Sequence, residues 1–521
     1  MKKLYLLVLS TLALVLSVWL MHHTLSYDSS ANSILVGSKY WSDFGNALPL
    51  VRSFSYGSNW TWEHPLFPGE PTRYHLLFYY LTGMLEKVGL RFDLALNIPS
   101  ILGFFFLCLM IWSMSLRLFK RHSVALLSVL FFLFNGSFSW LDFLDKYGFS
   151  LSSLKSLVHF PSFGPWNGSQ ISAFWNLNIY TNQRHLPLSF VVALVIIYIL
   201  YSSKPKLIYF VGILLGFLLL SNQAAFGIAA LFTAWLFIFS SHKFKIIVSL
   251  LGFLPFLTFS LRFTQLPNPP FYHPAFLYNG PLEFWPIAKY WFLNFGPHLI
   301  LIPVGILFSL RRTWKLALPL ILLFILPNLF QFSPDMINNH KFFNFFLIIG
   351  SMFSAYLIVR FKPLLILLPL LILGGIVDFF PVKNDNYGGL SDYPANPDAK
   401  FFVENTAPDS VVLNSWWLDH PASVAGRKIF MGYSYFTWSY GYDQVTREKN
   451  ALQIYRATTK SSACELLNKF NISFVELNDR PESFINPNRD LWGKVFTPQY
   501  SNPSSGVNIY NIKASCPNSS S

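Results

Sequence analysis

Charged residues make up only 12% of this 521-residue chain, so a local cluster of them is informative. Residues 40–80 read YWSDFGNALPLVRSFSYGSNWTWEHPLFPGEPTRYHLLFYY and contain Asp43, Glu63, His64, Glu70, Arg73 and His75. A carboxylate held against Trp41 and Phe44 would be partly desolvated, which raises its basicity. That suits a general base taking a proton from a hydroxyl or amide, and Asp43 is the candidate. The competing role for Asp43 is to cap a helix over residues 46–54. Arg73 and His75 open an apolar stretch, where they could hold a phosphate at headgroup level or simply anchor the chain at a membrane interface. Glu63 and His64, in WEHP, are supporting candidates in the same loop.

Three further groups carry chemistry. Asp142 and Asp145 are three residues apart, close enough to share a helical face. They could orient an acceptor or bind a metal, or merely begin a solvated helix. Arg184 and His185 close the same loop. In QFSPDMINNHKFFNFF, His340 and Lys341 stand at the start of an apolar helix. The macrodipole is already positive there, so two basic groups make sense if an anion completes the site. Lysine meets phosphate as a compact point charge.

The elements that must position these residues are mostly membrane spans. The chain is 53% hydrophobic with 55 Phe, outside the range of soluble domains. Apolar runs recur up to about residue 380, at roughly 4–21, 96–116, 123–136, 186–202, 207–221, 224–240, 246–260, 296–310, 316–330, 342–359 and 363–379. The expected architecture is an α-helical polytopic membrane body over residues 1–380 with about eleven spans. It is followed by a soluble C-terminal α/β domain over residues 381–521. In that domain VVLNSW, KIFMGY, ISFVEL and VNIYNI read as strands, and residues 444–457 and 462–469 as helices. Gly432, Tyr433, Tyr435, Trp438 and Tyr440 form an aromatic patch there, which could stack on sugar faces or belong to the domain core.

The net charge of +14 is topological. With the N-terminus inside, alternate connections carry Lys2 and Lys3; Arg117, Lys120 and Arg121; Lys204 and Lys206; Lys243 and Lys245; Arg311, Arg312 and Lys315; and Arg360 and Lys362. No acid accompanies them, which is the positive-inside pattern and removes the case for a nucleic-acid partner. The acid-bearing loops and the C-terminal domain then share the outer face. This parity requires residues 74–90 to lie along the interface rather than cross. The basic, apolar N-terminus lacks a small-x-small cleavage site and reads as an uncleaved first span. Cys464 and Cys516 fall in the outer domain, where they could pair; Cys108 reads as packing within a span. Zinc-ligand spacing, a phosphate-binding glycine loop and a nucleophile elbow are all missing. The spans show no internal repeat and no ionisable residue at mid-span, which argues against a transporter or flippase.

In their order along the chain, these features resemble the GT-C superfamily of integral membrane glycosyltransferases, nearest the protein mannosyltransferase and aminoarabinose transferase branches. The resemblance rests on Ser42-Asp43-Phe44 after the first span, on His64-Pro65 through Arg73-Tyr74-His75, on FDLALNIPS, and on RLFKRH. It implies sugar transfer from a polyprenyl-phosphate-linked donor to an acceptor at the outer face of a prokaryotic plasma membrane. It also implies inversion at the anomeric carbon and Asp43 as base. Asp142 or Asp145 would be the second-loop acid that some members use, and a divalent metal is left open. Glu63, His64, Arg73, His75, Arg184, His185, His340 and Lys341 are the substrate-binding candidates. Mannosyltransferases often have adjacent acids where Phe44 follows Asp43, which leaves the acceptor class undefined. In WWLD, Leu418 separates Trp417 from Asp419, so the peptide-binding role of a Trp-Trp-Asp motif does not carry over. Another lipid-phosphate enzyme, such as a polymer ligase, could use the same loops.

Overall fold

A computed structural model of the chain describes residues 2–161, 166–167, 170–264, 270–479 and 484–516. It is mainly helical. Among the described residues, five helical segments are long and apolar enough to cross a bilayer: Tyr5–Thr24, Phe92–Phe119, His298–Leu329, Met336–Arg360 and Lys362–Lys383. A sixth pass results if Lys243–Gly252 and Leu254–Phe263, bent by 42°, are one span. His122–Leu133, Leu186–Tyr201, Ile208–Ser221 and Gln223–Ile238 are apolar but shorter. Of the eleven expected runs, those within these five or six segments meet the length test among the described residues. Several apolar runs form helices shorter than the ~20 residues that a hydrocarbon core requires.

One segment departs from a simple rod. Residues His298–Leu329 are helical throughout, with Pro303, Pro319 and Pro327 inside. Yet the rings of Phe295 and Phe324 are 6.1 Å apart, whereas a straight helix would separate residues 298 and 324 by ~39 Å. Phe308 meets Phe361 at 5.1 Å, while Phe324 meets Phe343 at 6.0 Å. The first half therefore runs alongside Met336–Arg360 in the same direction and the second half in the opposite one. The reversal lies between these contacts, at the level of Arg311, Arg312 and Lys315, where the sequence reading placed a turn between two runs.

The first loop folds into helix Trp41–Ser55, a two-stranded ribbon of Glu63–His64 and Phe67–Pro71, and helix Leu76–Lys87. The last of these has twelve residues, about 18 Å at 1.5 Å per residue, and packs against Trp41–Ser55 and Phe92–Phe119. Asp378, at the edge of the expected last span, is buried in the final long helix. It accepts hydrogen bonds from Asn135 and Ser139 at 3.3 Å and from Ser172 at 3.4 Å.

Beyond residue 390, five strands form a mixed sheet in the order Lys428–Ile429, Val411–Leu413, Phe474–Asn478, Val507–Asn511, Tyr500–Asn502. The first three are parallel and the last two antiparallel. Helices Gln444–Tyr455 and Lys460–Lys469 contribute to a core that includes Leu413, Tyr455, Val475 and Trp492. Cys464 and Cys516 form a disulfide with Cα atoms 5.4 Å apart.

This sheet is not separate from the first loop. Strand Tyr387–Ser391 adds to a hairpin of Leu25–Asp28 and Ser33–Gly37. Ile429 donates its backbone N–H to Pro65 at 2.9 Å and Gly432 to Leu66 at 3.0 Å. Arg447 donates twice to the Pro68 carbonyl at 3.0 Å. At the centre Arg52, fully buried, pairs with Glu86 at 2.8 Å and with Asp392 at 2.9 Å, and donates to the Val424 carbonyl at 2.9 Å. Ser55 donates to the other Glu86 oxygen at 2.6 Å. Breaking a buried pair from one side strands the remaining charges, at a cost of about 3–5 kcal/mol. Arg52→Ala is therefore expected to lower the thermal unfolding temperature of the detergent-solubilised protein sharply. Double replacement of the exposed pair Lys400–Glu404 should leave it nearly unchanged.

Candidate active site

The helix carrying Asp43 begins at Trp41, with Tyr40 as N-cap and no side-chain capping bond. Asp43 lies in the first turn, so it is not the cap that the sequence also allowed. The next residue, Phe44, is buried; the side chain of Trp41 lies outside the described residues. Burial of the carboxyl pushes the pKa of Asp43 up to about 6, against the opposing pull of the nearby Lys341 ammonium. The hydroxyls of Tyr74, Tyr79, Tyr435 and Tyr440 all lie within electrostatic reach of the same carboxylate. Asp43 is thus surrounded by aromatic walls, polar hydroxyls and one cation contributed by a distant helix.

Lys341 stands in the first turn of His340–Arg360. Its Nζ donates to Asn338 at 2.8 Å, and its charge is felt by His75 and His185 as well as Asp43. The imidazoles of His75 and His185 are 4.4 Å apart and tilted at 40°. Burial holds both well below the ordinary histidine value, helped at His75 by His185 and Lys341 and at His185 by Lys341 and His340, so both rings are neutral. Tyr79 contacts His185 Nδ1 at 3.4 Å. Among the described residues, His75 Nδ1 and His185 Nε2 have no hydrogen-bond partner. Two buried imidazole nitrogens without partners, beside a lysine, are unusual unless a polar group joins them.

A cavity of about 290 Å³ opens at this point. Its polar end is lined by Arg73, Tyr74, His75, Asn338, Lys341 and Tyr440, and its other end runs between two apolar helices, past Ala224, Gly227 and Leu231 on one side and Leu322, Leu323 and Leu326 on the other. Gly227 widens it: a Cβ there would meet nothing within 4 Å. The shape is that of an amphiphile, with a cationic, hydrogen-bonding head region and an apolar tail groove.

The other sequence candidates are distributed differently. Arg73 lines the cavity but is also engaged by Glu70 at 3.2 Å, by the Gly441 carbonyl and by the Tyr442 ring at 4.6 Å. Glu63 pairs with Lys428 at 2.8 Å and joins the first loop to the C-terminal sheet. His64 is fully buried between Tyr440 and Tyr442, and its Nδ1 accepts from the Leu66 N–H at 3.2 Å. Burial takes its pKa down to about 3. Arg184 is buried against Asn97 at 2.5 Å, Thr24 at 2.8 Å and the Tyr40 ring at 4.6 Å, where it ties spans together. His340 stacks on Phe174 at 4.8 Å and bonds Asn344 at 2.7 Å and Gln183 at 3.1 Å. Asp142 and Asp145 are exposed on helix Trp140–Tyr147 and do not line the cavity.

Sequence reasoning passed over Tyr74, Asn338 and Gly227 as site residues. It also passed over Asp335, which accepts from the Tyr435 hydroxyl at 2.7 Å. The string SPDMINNHK carried a signal for two of them, because polar residues just before an apolar helix are placed to meet a ligand at its N-terminus. No group of three or more His, Cys, Asp or Glu side chains among the described residues is arranged to hold a metal ion.

No family model and no curated protein matches the chain. Among solved structures, the Archaeoglobus fulgidus oligosaccharyltransferase in complex with Zn and sulfate is similar, with a TM-score of 0.47 at 15% identity over 98% of this chain and 74% of that one. The apo form of the same enzyme gives a TM-score of 0.40 at 14% identity, covering 91% and 69%. The archaeal oligosaccharyltransferase AglB of A. fulgidus, in complex with an inhibitory peptide and a dolichol-phosphate, gives 0.41 at 13%, covering 99% and 75%. At such values the site has to be read from its own geometry.

That geometry couples Asp43 to Lys341. The ammonium favours the carboxylate, so Lys341→Met should move the Asp43 titration upward from about 6. ¹³C NMR of labelled aspartate carboxyls, compared with and without the substitution, would measure the shift; an unchanged titration would show that the two groups do not interact.

Proposed function

We propose that the protein is an integral membrane glycosyltransferase that moves a sugar from a polyprenyl-phosphate-linked donor to an acceptor at the outer face of a prokaryotic plasma membrane. The observation that carries this reading is the amphiphilic cavity. Its apolar groove between helices Gln223–Ile238 and His298–Leu329 suits an isoprenoid tail, and its head region presents Lys341, Arg73 and the neutral His75 to a phosphate. The base candidate Asp43 is coupled to the same lysine.

In the reaction, an acceptor oxygen or nitrogen attacks the anomeric carbon as the carbon–oxygen bond to phosphate breaks. The electron pair of that bond stays on the phosphate oxygen, and the acceptor proton passes to Asp43. A single displacement of this kind inverts the anomeric centre. Lys341 and Arg73 stabilise the negative charge that develops on the departing phosphate, a task for fixed cations in a water-poor site. The raised pKa of Asp43 makes it a stronger base than an exposed aspartate while leaving it ionised at neutral pH.

Four outcomes are expected. Lipid extracted from the purified protein should contain a polyprenyl phosphate or its glycoside by mass spectrometry. Asp43→Asn should retain that lipid yet lose about 10²- to 10⁴-fold in transfer rate; transfer at the wild-type rate would remove Asp43 as base. For the wild type, kcat/KM should fall as the pH drops through about 6, where Asp43 gains its proton. Finally, Gly227→Phe, which fills open space rather than displacing a neighbour, should weaken binding of a long-chain polyprenyl phosphate much more than that of a short-chain phosphate. Equal effects on both would show that the groove does not hold the tail.

A further inference from the structure

The second loop contains two short helices, Trp140–Tyr147 and Leu151–Val158, whose inner sides are accounted for. Phe143 and Phe160 are buried with Val377, and Trp140, Leu144, Tyr147, Leu157 and Phe380 close around them. Asn384, just past the last long helix, donates to the carbonyls of Val158 at 2.9 Å and Phe160 at 3.1 Å. The turn between the helices is set by Ser150, whose side chain caps Leu151–Val158 in a reciprocal capping box with Ser153.

Among the described residues, the outer side is left exposed. Phe149 is 95% exposed, Leu151 84%, Leu154 59%, Leu141 44% and Val158 40%. Leu151, Leu154 and Val158 recur at the spacing of one helical face, and Lys155 is exposed within that face. Lys146 is exposed one turn before Phe149. Apolar residues on one face with lysines at its edge form the pattern of a helix lying in a membrane interface, the lysines reaching lipid phosphates while their stems stay in the apolar layer.

The position of the hairpin agrees. It is held by Val377 and Phe380, six and three residues before the end of the helix at Lys383. At 1.5 Å per residue these points lie about 5–9 Å from that end, which matches the depth at which interfacial helices bury their apolar face. The hairpin thus lies beside the C-terminal end of the last long helix.

We propose that residues 140–158 form an interfacial anchor on the side of the C-terminal domain, with Phe149, Leu151, Leu154 and Val158 inserted among acyl chains and Lys146 and Lys155 against lipid phosphates. The exposed Asp142 and Asp145 then sit in the headgroup layer rather than at the cavity. The anchor does not depend on the reaction proposed above, because a membrane protein of any activity would seat this surface in the same way.

Depth-dependent quenching tests it in the full-length protein. The free Cys108 is replaced by serine, Leu154→Cys is labelled with an environment-sensitive fluorophore, and the protein is reconstituted in nanodiscs of phosphatidylethanolamine and phosphatidylglycerol. Lys400→Cys, exposed on the C-terminal domain, is the aqueous reference. The label at 154 should be quenched several-fold more by doxyl-labelled lipid than the reference, and several-fold less by iodide. Iodide quenching equal to the reference would overturn the anchor, because the face would then be in water. Protection from both quenchers would also overturn it, and a disulfide-linked dimer of Leu154→Cys under oxidation would then identify a second copy as the cover. A second label at Phe149→Cys, in the turn, should behave like that at 154. If it is instead quenched by iodide as strongly as the reference, insertion of the hairpin tip is ruled out.

Discussion

Arg52 holds together what would otherwise be three independent parts. Its guanidinium is buried and is paired with both Glu86 from helix Leu76–Lys87 and Asp392 from beyond the last long helix. Taking three charges out of water is costly and tolerable only when each finds its partner with good geometry. The arrangement is therefore nearly all-or-none. With it formed, helix Trp41–Ser55 is fixed against both helix Leu76–Lys87 and the C-terminal chain, and Asp43 is held at one end of helix Trp41–Ser55. The rings of Tyr56 at 4.6 Å and Phe92 at 5.2 Å sit against the guanidinium and help exclude water from it.

Charge is used in two different ways around the site. Arg52, Glu63 and Lys428 are ion-paired, and Arg184 is hydrogen-bonded, by groups of the protein itself, and all four serve to position elements. Lys341 is different. Its hydrogen bond goes to a neutral amide, Asn338, and its field reaches Asp43, His75 and His185. Asp43 and Asp335 act on it through space, and a cation in a partly apolar cavity that is paired in this way rather than by direct contact is suited to meet an anion. The neighbouring imidazoles add hydrogen-bonding capacity without adding charge, so the head region can grip a phosphate without being a strongly basic patch.

Much of this was legible in the sequence, for reasons that differ by residue. Asp43 and Lys341 stood out because a charged group next to an apolar run is expensive, and composition made such groups rare. The strands around Val412, Ile429, Val475 and Ile509 were visible as β-branched runs bounded by turns. The roles of Glu63 and His64 were not visible. Their partners Lys428 and Tyr440 lie more than 350 residues along the chain, and nothing local announces such a pairing. Gly227 was silent for the opposite reason: what it contributes is the space left by a missing side chain. The count of spans exceeded the number of long helices because apolar composition persists through breaks that cut a run into short pieces. The fold-back within His298–Leu329 shows the converse, one helical run that covers two of the expected runs.

The way the first loop is stitched to the C-terminal sheet also bears on when the site comes into being. Arg52 and Asp392 are 340 residues apart, and the strand that completes the sheet beside the first loop is made after every long helix. Because loop-closure cost grows only slowly with length, such distant pairing is affordable at equilibrium but must wait for its second half during synthesis. Until then Arg52 and Glu86 lack Asp392, the ribbon around His64 lacks its cover, and Asp43 lacks the Tyr435 and Tyr440 side of its wall. The chain can therefore form its long helices first and complete the surroundings of Asp43 only once the last domain has folded over them, so that the finished site is a product of the whole chain rather than of its first loop.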